Sequence, residues 1–199
     1  MPTSPALILA STSRYRSELL QRLRLPFDVI SPGVDESPLA GEAPAALAQR
    51  LAVAKANAVA MQHPHAIVIG SDQVADLDGQ SIGKPGTHER ATLQLRAMRG
   101  ATVVFQTAVA VVQRSTGFEQ VELASVRVRF RHLSDVEIEH YLKLEEPYDC
   151  AGSAKCETLG IALLEVIESD DPTALIGLPL IRTCRLLRAA GLNVLAARP

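Results

Sequence analysis

The sequence has no tryptophan, three cysteines and little imbalance of charge. The cysteines (Cys150, Cys156 and Cys184) are odd in number and lack CxxC spacing, so neither a disulfide framework nor a zinc site is indicated. Twenty Lys and Arg against 22 Asp and Glu give a net charge of -2, which argues against nonspecific nucleic-acid binding. We expect no nucleic-acid partner.

Long apolar runs are also missing. The apolar run at residues 6–10 is too short for the core of a signal peptide, and no run approaches the roughly 18 residues of a membrane span. We therefore expect a cytoplasmic protein with no membrane partner.

Several well-known catalytic motifs are absent. The sequence contains no GxxxxGK[ST], GxGxxG, GxSxG or HExxH, and its five histidines have no metal-ligand spacing. These absences argue against a P-loop NTPase, a dinucleotide-binding domain, an α/β-hydrolase and a zincin. The chemistry has to come from other residues.

What is present is an alternation of strand and helix patterns. Buried or alternating strand patterns and helical periodicity follow one another along the chain, with no repeat or linker between them. We predict strands at 6–10, 27–30, 66–71, 102–113, 120–131 and 161–167, a hairpin over 74–82, and helices after Ser13, up to about 62, and at 87–98, 134–145 and 179–191. This order favours one compact α/β unit over residues 1–199.

Clustered polar residues follow four of these elements. They are Ser11 to Arg16 after the first strand, Asp35 and Glu36, Asp72 and Gln73 after strand 66–71, and Gly83 to Pro85. Open α/β sheets place ligands at strand ends, and three small hydroxyl residues before a helix form an anion cradle.

Each cluster also has a plainer interpretation. The cluster from Ser11 to Arg16 could equally be a helix N-cap with solvated arginines. The acidic pair could belong to a surface loop, and Asp72 could be a turn-forming residue. Together, however, carboxylates with Lys and Arg and no Cys or His nucleophile favour magnesium-assisted phosphoryl chemistry.

The motifs also resemble a known family when taken in order. The stretch LILASTS at 7–13, Arg16, VDE at 34–36, AKA at 54–56, IGSDQ at 69–73, GKP at 83–85 and IGLPL at 176–180 look like the Maf family of nucleotide pyrophosphatases. Within it, FRHLS at 130–134 and CAGSAKCE at 150–157 look most like the 7-methyl-GTP branch. The resemblance covers essentially the whole chain.

The resemblance implies a fold, a partner and a metal. The expected fold is a mixed twisted sheet flanked by helices, with two lobes around a cleft, as in Maf and inosine-triphosphatase-like proteins. The ligand would be a nucleoside triphosphate, with Mg²⁺ or Mn²⁺ as the divalent metal, and the protein would form a homodimer.

The resemblance also implies roles for individual residues. Asp72 would be the general base, and Glu36 with Asp72 would hold the metal. The triphosphate would be bound by Ser11, Ser13, Arg16, Lys55 and Lys84. The base would be read by Tyr15, Gln73 and Glu157, since an electron-rich ring can stack on a cationic base and a carboxylate can accept from N–H donors. A core position in the first helix is the alternative for Tyr15.

One residue departs from the family pattern, because Arg14 stands where the family usually has Pro. This loss of a rigid helix start and gain of a mobile charge bears on base preference. Two alternative functions stay open: the same reaction on dTTP, UTP or another modified nucleotide, and a nucleotide-binding regulator of cell division.

Overall fold

The computed structural model describes residues 5–196, which form a mixed α/β structure. The strands are β1 (Leu7–Ala10), β2 (Asp28–Val29), β3 (Ile67–Leu77), β4 (Gln80–Ile82), β5 (Thr102–Gln113), β6 (Phe118–Phe130) and β7 (Leu164–Glu168). The helices are α1 (Arg14–Gln21), α2 (Pro44–Ala60), α3 (His88–Met98), α4 (Asp135–Glu145) and α5 (Leu180–Ala189).

Within the described residues the strands form one mixed sheet in the order β2-β1-β3-β5-β6-β7, with β4 paired to β3. Strand β1 runs parallel to β2 and β3, and the other pairs are antiparallel. The predicted mixed sheet flanked by helices is confirmed. No described helix combines the length and apolarity needed to cross a bilayer.

Alternation along the strands creates two opposite core faces. Ile8, Val68 and Ala110 pack with α2 on one face, while Leu9 and Ile69 pack with α1 and α5 on the other. A third cluster, around Phe105 and Phe130, joins the far end of the sheet to α3 and α4. The sheet is therefore covered by helices on both faces at its β1 end.

The helix boundaries follow from capping. The Ser13 and Thr87 side chains accept from backbone N–H groups at the starts of α1 and α3. Ser134 and Glu137 form a capping box at the start of α4. All five predicted helices are present, and the first of them, α1, ends at Gln21.

Two strand predictions are wrong in their limits. Strand β3 does not end before Asp72 but continues to Leu77, because Asp72 and Gln73 pair with Ala108 and Thr107 on β5. The strand predicted at 161–167 begins only at Leu164, because the preceding residues form a 3-10 turn. Tertiary pairing overrides the local polar pattern at the first position.

The continuation of β3 creates a gap in the sheet. On one edge of β3, β1 pairs as far as Gly70 and β4 pairs from Ala75 onwards. No described strand pairs with that edge over residues 71–74. Asp72 and Gln73 therefore lie at an opening between two strands, with their side chains on opposite faces of the sheet.

Candidate active site

A cleft of about 870 Å³ opens at this gap. Its lining includes each of the site residues predicted from the sequence: Ser11, Ser13, Tyr15, Arg16, Glu36, Lys55, Asp72, Gln73, Lys84 and Glu157. Residues more than 140 positions apart in the chain thus meet in one cavity. Such a volume is in the range of small-molecule sites.

The Lys55 ammonium group joins two carboxylates in this cleft. Its Nζ lies 2.6 Å from Asp72 Oδ1 and 2.7 Å from Glu36 Oε1. Lys55 and Asp72 are buried, while Glu36 comes from an exposed part of its loop. The placement of Lys55 follows from α2, whose buried face packs on β3 directly behind Asp72.

Two further cations of the cleft, Arg16 and Lys84, also act on these carboxylates. Burial raises the pKa of Glu36, but the hydrogen bond and charge of Lys55, with the charges of Lys84 and Arg16, hold the pKa below its ordinary value. Burial lowers the pKa of Arg16, and Asp72 and Glu36 oppose that effect. We call Arg16, Glu36, Lys55, Asp72 and Lys84 the Lys55 group.

Asp72 offers one oxygen to the cleft. Its Oδ1 is held by Lys55, whereas its Oδ2 accepts no hydrogen bond from the residues that the structure describes. Among those residues, no buried side-chain oxygen or nitrogen lacks a partner. Solvent therefore reaches Oδ2, so this oxygen can accept a proton from a bound water molecule.

Arg16 is fixed from two sides. Its Nε donates to the Gly177 carbonyl at 2.9 Å, and its Nη1 donates to Ser11 Oγ at 3.4 Å. Ser71 Oγ also lies 3.1 Å from the Gly177 oxygen. These contacts join α1 to the turn before α5 and leave the guanidinium on the cleft wall.

The two serines of the predicted anion cradle have internal partners. Ser13 Oγ accepts from Arg16 N at 3.5 Å as the helix cap, and Ser11 Oγ accepts from Ser13 N at 3.1 Å. Both side chains therefore organise the start of α1. In the acidic pair, Asp35 accepts from Ser37 N at 2.9 Å in its own loop, and only Glu36 lines the cleft.

Several charged residues share the cleft with Tyr15, which is half-buried on the cleft wall and is not a core residue. The Arg14 guanidinium lies 4.8 Å from the centre of the Tyr15 ring and donates to its hydroxyl at 2.8 Å. Cys150 Sγ lies 3.9 Å from the same hydroxyl, and Asp149 and Glu157 influence the pKa of its thiol. We call Arg14, Tyr15, Asp149, Cys150 and Glu157 the Tyr15 group.

The Cys150 thiol lies in surroundings that disfavour its thiolate form. Burial, with the neighbouring Asp149 charge, raises the pKa of Cys150 to about 12. The thiolate is the reactive form of cysteine, and it is scarce under these conditions.

Sequence reasoning missed two contributors to the site. Asp149 lines the cleft beside Tyr15, and Thr107 contacts Gln73 from β5. The pairing of the two long strand patterns places Thr107 opposite Gln73, so a correct register would have identified it. Asp149 lies in a loop, where the sequence carries no such signal.

The donor set of the cleft suits a hard divalent cation in part. Two carboxylates, Glu36 and Asp72, already share one cationic group, and carboxylate oxygens are ligands that Mg²⁺ prefers. Among the described residues, no group of three or more His, Cys, Asp or Glu side chains is arranged to hold a metal. The remaining ligands would therefore have to be water and substrate oxygens.

Comparison with known proteins gives a consistent result. Residues 6–190 match the family model described as Maf-like protein. The 7-methyl-GTP pyrophosphatase of Polaromonas sp. (strain JS666 / ATCC BAA-500) is 69% identical over 99% of this chain and 90% of that relative. The 7-methyl-GTP pyrophosphatase of Albidiferax ferrireducens is 65% identical over 98% of both chains. The chain belongs to the Maf family.

Proposed function

We propose that this protein hydrolyses 7-methyl-GTP to 7-methyl-GMP and pyrophosphate, and that residues 1–199 act as one catalytic unit. The observation that carries the proposal is the pair of charge groups in one cleft. The Lys55 group has three cations for a triphosphate, and the Tyr15 group has an aromatic ring with two carboxylates for a cationic base. The printed names of the relatives agree with this substrate.

The proposed reaction is attack of water on the α-phosphorus. Asp72 Oδ2 accepts a proton from the attacking water, and the bond from the α-phosphorus to its bridging oxygen breaks as pyrophosphate leaves. Arg16, Lys55 and Lys84 stabilise the negative charge that builds on the phosphate oxygens in the transition state. Lys55 also orients the Asp72 carboxylate through its 2.6 Å contact.

The proposed cofactor is a divalent cation, Mg²⁺ or Mn²⁺. Glu36 and Asp72 would hold it together with substrate phosphate oxygens, consistent with their shared position around the Lys55 ammonium group. When bound, the ion would neutralise phosphate charge and polarise the reacting phosphoryl group. A homodimer and a cytoplasmic location stay predictions.

Base selection is assigned to Tyr15, Gln73 and Glu157. A methylated guanine carries a positive charge that favours the face of an aromatic ring, worth about 0.5–2 kcal/mol in known examples. The carboxylate of Glu157 can accept from guanine N–H groups and also attracts the cationic base. Ser11 and Ser13 would act on the phosphates through the helix start that they organise.

Product analysis tests the proposal. We expect the purified protein with Mg²⁺ to release pyrophosphate from 7-methyl-GTP in strong preference to GTP, UTP and dTTP. Pyrophosphate mainly from UTP or dTTP would keep the reaction and overturn the base assignment. Binding without turnover would favour the regulator of cell division.

The Asp72→Asn variant tests the general base. We expect kcat to fall about 10²- to 10⁴-fold, the usual contribution of a positioned base, while nucleotide binding is kept. Asp78→Asn is a matched control, because Asp78 lies exposed in the β3–β4 turn and its substitution removes the same charge. Equal activity of the two variants would contradict the role of Asp72.

A further inference from the structure

The amide nitrogen of Gln73 makes all of its hydrogen bonds within the protein. Its Nε2 lies 2.9 Å from Thr107 Oγ1 and 3.0 Å from each of the carbonyl oxygens of Ala174 and Leu175. Backbone carbonyls only accept hydrogen bonds, so an amide nitrogen must face them. Rotation of the carboxamide by half a turn would place its oxygen against two carbonyl oxygens.

Thr107 connects this amide to the turn that supports it. The side chain is fully buried on β5 and pairs in register with Gln73 on β3. Its hydroxyl donates to the Ala174 carbonyl at 3.0 Å, which leaves the oxygen as an acceptor for Gln73 Nε2. One hydroxyl group therefore fixes both the turn at Ala174–Ile176 and the amide.

The remaining polar atom of this side chain is Gln73 Oε1. It has no hydrogen-bond partner among the described residues, and no buried side-chain oxygen there lacks a partner. Solvent therefore reaches Oε1, and Gln73 lines the cleft. The site presents this residue to a ligand as an acceptor only.

We propose that Thr107 is a positioning residue that holds the Gln73 carboxamide with its oxygen towards the cleft, so that the site reads a ring N–H of the base. The inference rests on the proposed function, which places a nucleobase there. Guanine N1 and uracil N3 carry a hydrogen and satisfy the oxygen. Adenine N1 and cytosine N3 are acceptors and leave Oε1 facing a lone pair.

A variant without the hydroxyl tests this role. The measured quantity is the ratio of kcat/KM for GTP to that for ATP, two unmethylated purines that differ at N1. We expect Thr107→Val to lower this ratio about three- to tenfold, the value of one neutral hydrogen bond, with a much smaller change in kcat for the guanine nucleotide. Thr107→Ser keeps the hydroxyl and should keep the ratio.

A double-mutant cycle separates positioning from general damage. In a Gln73→Met background the Thr107→Val change should leave the ratio unaltered, because no amide remains to be oriented. An unchanged ratio in the single variant, or an equal further loss in the double variant, would overturn the proposal. Thr107→Ala supplies a second hydroxyl-free variant if the valine protein does not fold.

The same cycle distinguishes this inference from the proposed function. If the wild-type protein prefers UTP, the substrate proposal fails, but UTP and CTP differ at N3 as GTP and ATP differ at N1. If it binds without turnover, dissociation constants for these pairs replace kcat/KM. Coupling between Thr107 and Gln73 supports the positioning role in each case, and its absence contradicts that role.

Discussion

Arg14 and Glu157 bring opposite charges to the cleft that Tyr15 lines. The Arg14 guanidinium lies over Tyr15, and Glu157 lines the cleft in the same charge group. A cationic base stacked on Tyr15 would be repelled by the first and attracted by the second. We therefore expect the departure of Arg14 from the usual family residue to affect base preference.

Two charge-removing variants should change base preference in opposite directions. We expect Glu157→Gln to lower the kcat/KM ratio of 7-methyl-GTP to GTP severalfold. We expect Arg14→Gln to raise this ratio about two- to fivefold, the value of one exposed cation–π contact, because the guanidinium no longer repels a cationic base at Tyr15. Steady-state kinetics on both nucleotides gives the ratio.

Each variant has its own check. Glu168→Gln removes a carboxylate from the exposed ion pair with Arg127, outside the cleft, and should leave kcat/KM unchanged for both nucleotides. Equal losses on both nucleotides in Glu157→Gln would contradict its role in reading the base. A lowered ratio in Arg14→Gln would show that this guanidinium assists the methylated base.

At the scale of elements, α2 and β3 approach unusually closely at Gly70. A Cβ atom there would collide with the Ala52 carbonyl oxygen and would lie 2.6 Å from Ala56 N. Both obstacles are backbone atoms of α2, which cannot rotate away. The close approach seats Lys55 against Asp72, two residues further along β3.

Gly70→Ala should therefore damage stability and the site together. We expect a loss of about 1–3 kcal/mol in the free energy of unfolding, the usual cost of overpacking, with a larger loss of kcat than stability alone explains. Denaturant unfolding and kinetics give the two values. Gly83→Ala is the control for stability, because its Cβ meets open space. Equal stability of both variants would contradict the expected steric cost at Gly70.

Secondary structure could be predicted from sequence wherever one local signal dominated. The capping box at Ser134 and the turn at Asp78 both act over four residues or fewer, and the helix at 134–145 and the hairpin over 74–82 are confirmed. The limit of β3 could not be predicted, because polar residues at 71–73 resemble a strand end. The β5 ladder that continues the strand is a contact between distant parts of the chain.

At the scale of the whole molecule, several surface carboxylates form contacts with arginines that require the carboxylate to be ionised. Hydrogen bonds from Arg50 lower the pKa of Glu42 to about 2 from an ordinary value of 4.5. The pKa of Asp135 is lowered by Arg96 and Arg99, and that of Asp170 by Arg182. An unfolded chain would lose these partners and take up protons at higher pH.

The folded state should therefore lose stability in acid. Because these carboxyl pKa values are lower in the folded state, their stabilising contribution is full above about pH 5 and is lost as the pH falls towards 2. Thermal midpoints measured between pH 7 and pH 2.5 test this. Glu42→Gln should flatten the lowest part of the curve, and a midpoint constant down to pH 3 would contradict the prediction.

The membership of the cleft could be predicted from the sequence, but its internal order could not. Polar clusters identified Arg16 and Asp72 because their residue types fit phosphate chemistry, the resemblance to the Maf family added Lys55, and the cleft contains all three. The orientation of Gln73 depends on the backbone of the Ala174–Ile176 turn, a hundred residues away. Such a contact leaves no mark in the local pattern.

The two charge groups make the cleft an electric dipole within a molecule whose net charge is only -2. The Lys55 group contains three cations and two carboxylates, and the Tyr15 group contains one cation and two carboxylates. A nucleotide with a cationic base and an anionic triphosphate has a complementary dipole. During diffusional approach it would therefore be oriented with its triphosphate towards the Lys55 group and its base towards the Tyr15 group. Since the screening length is about 10 Å at 0.1 M salt, this orienting torque would act only over the last molecular diameter before binding.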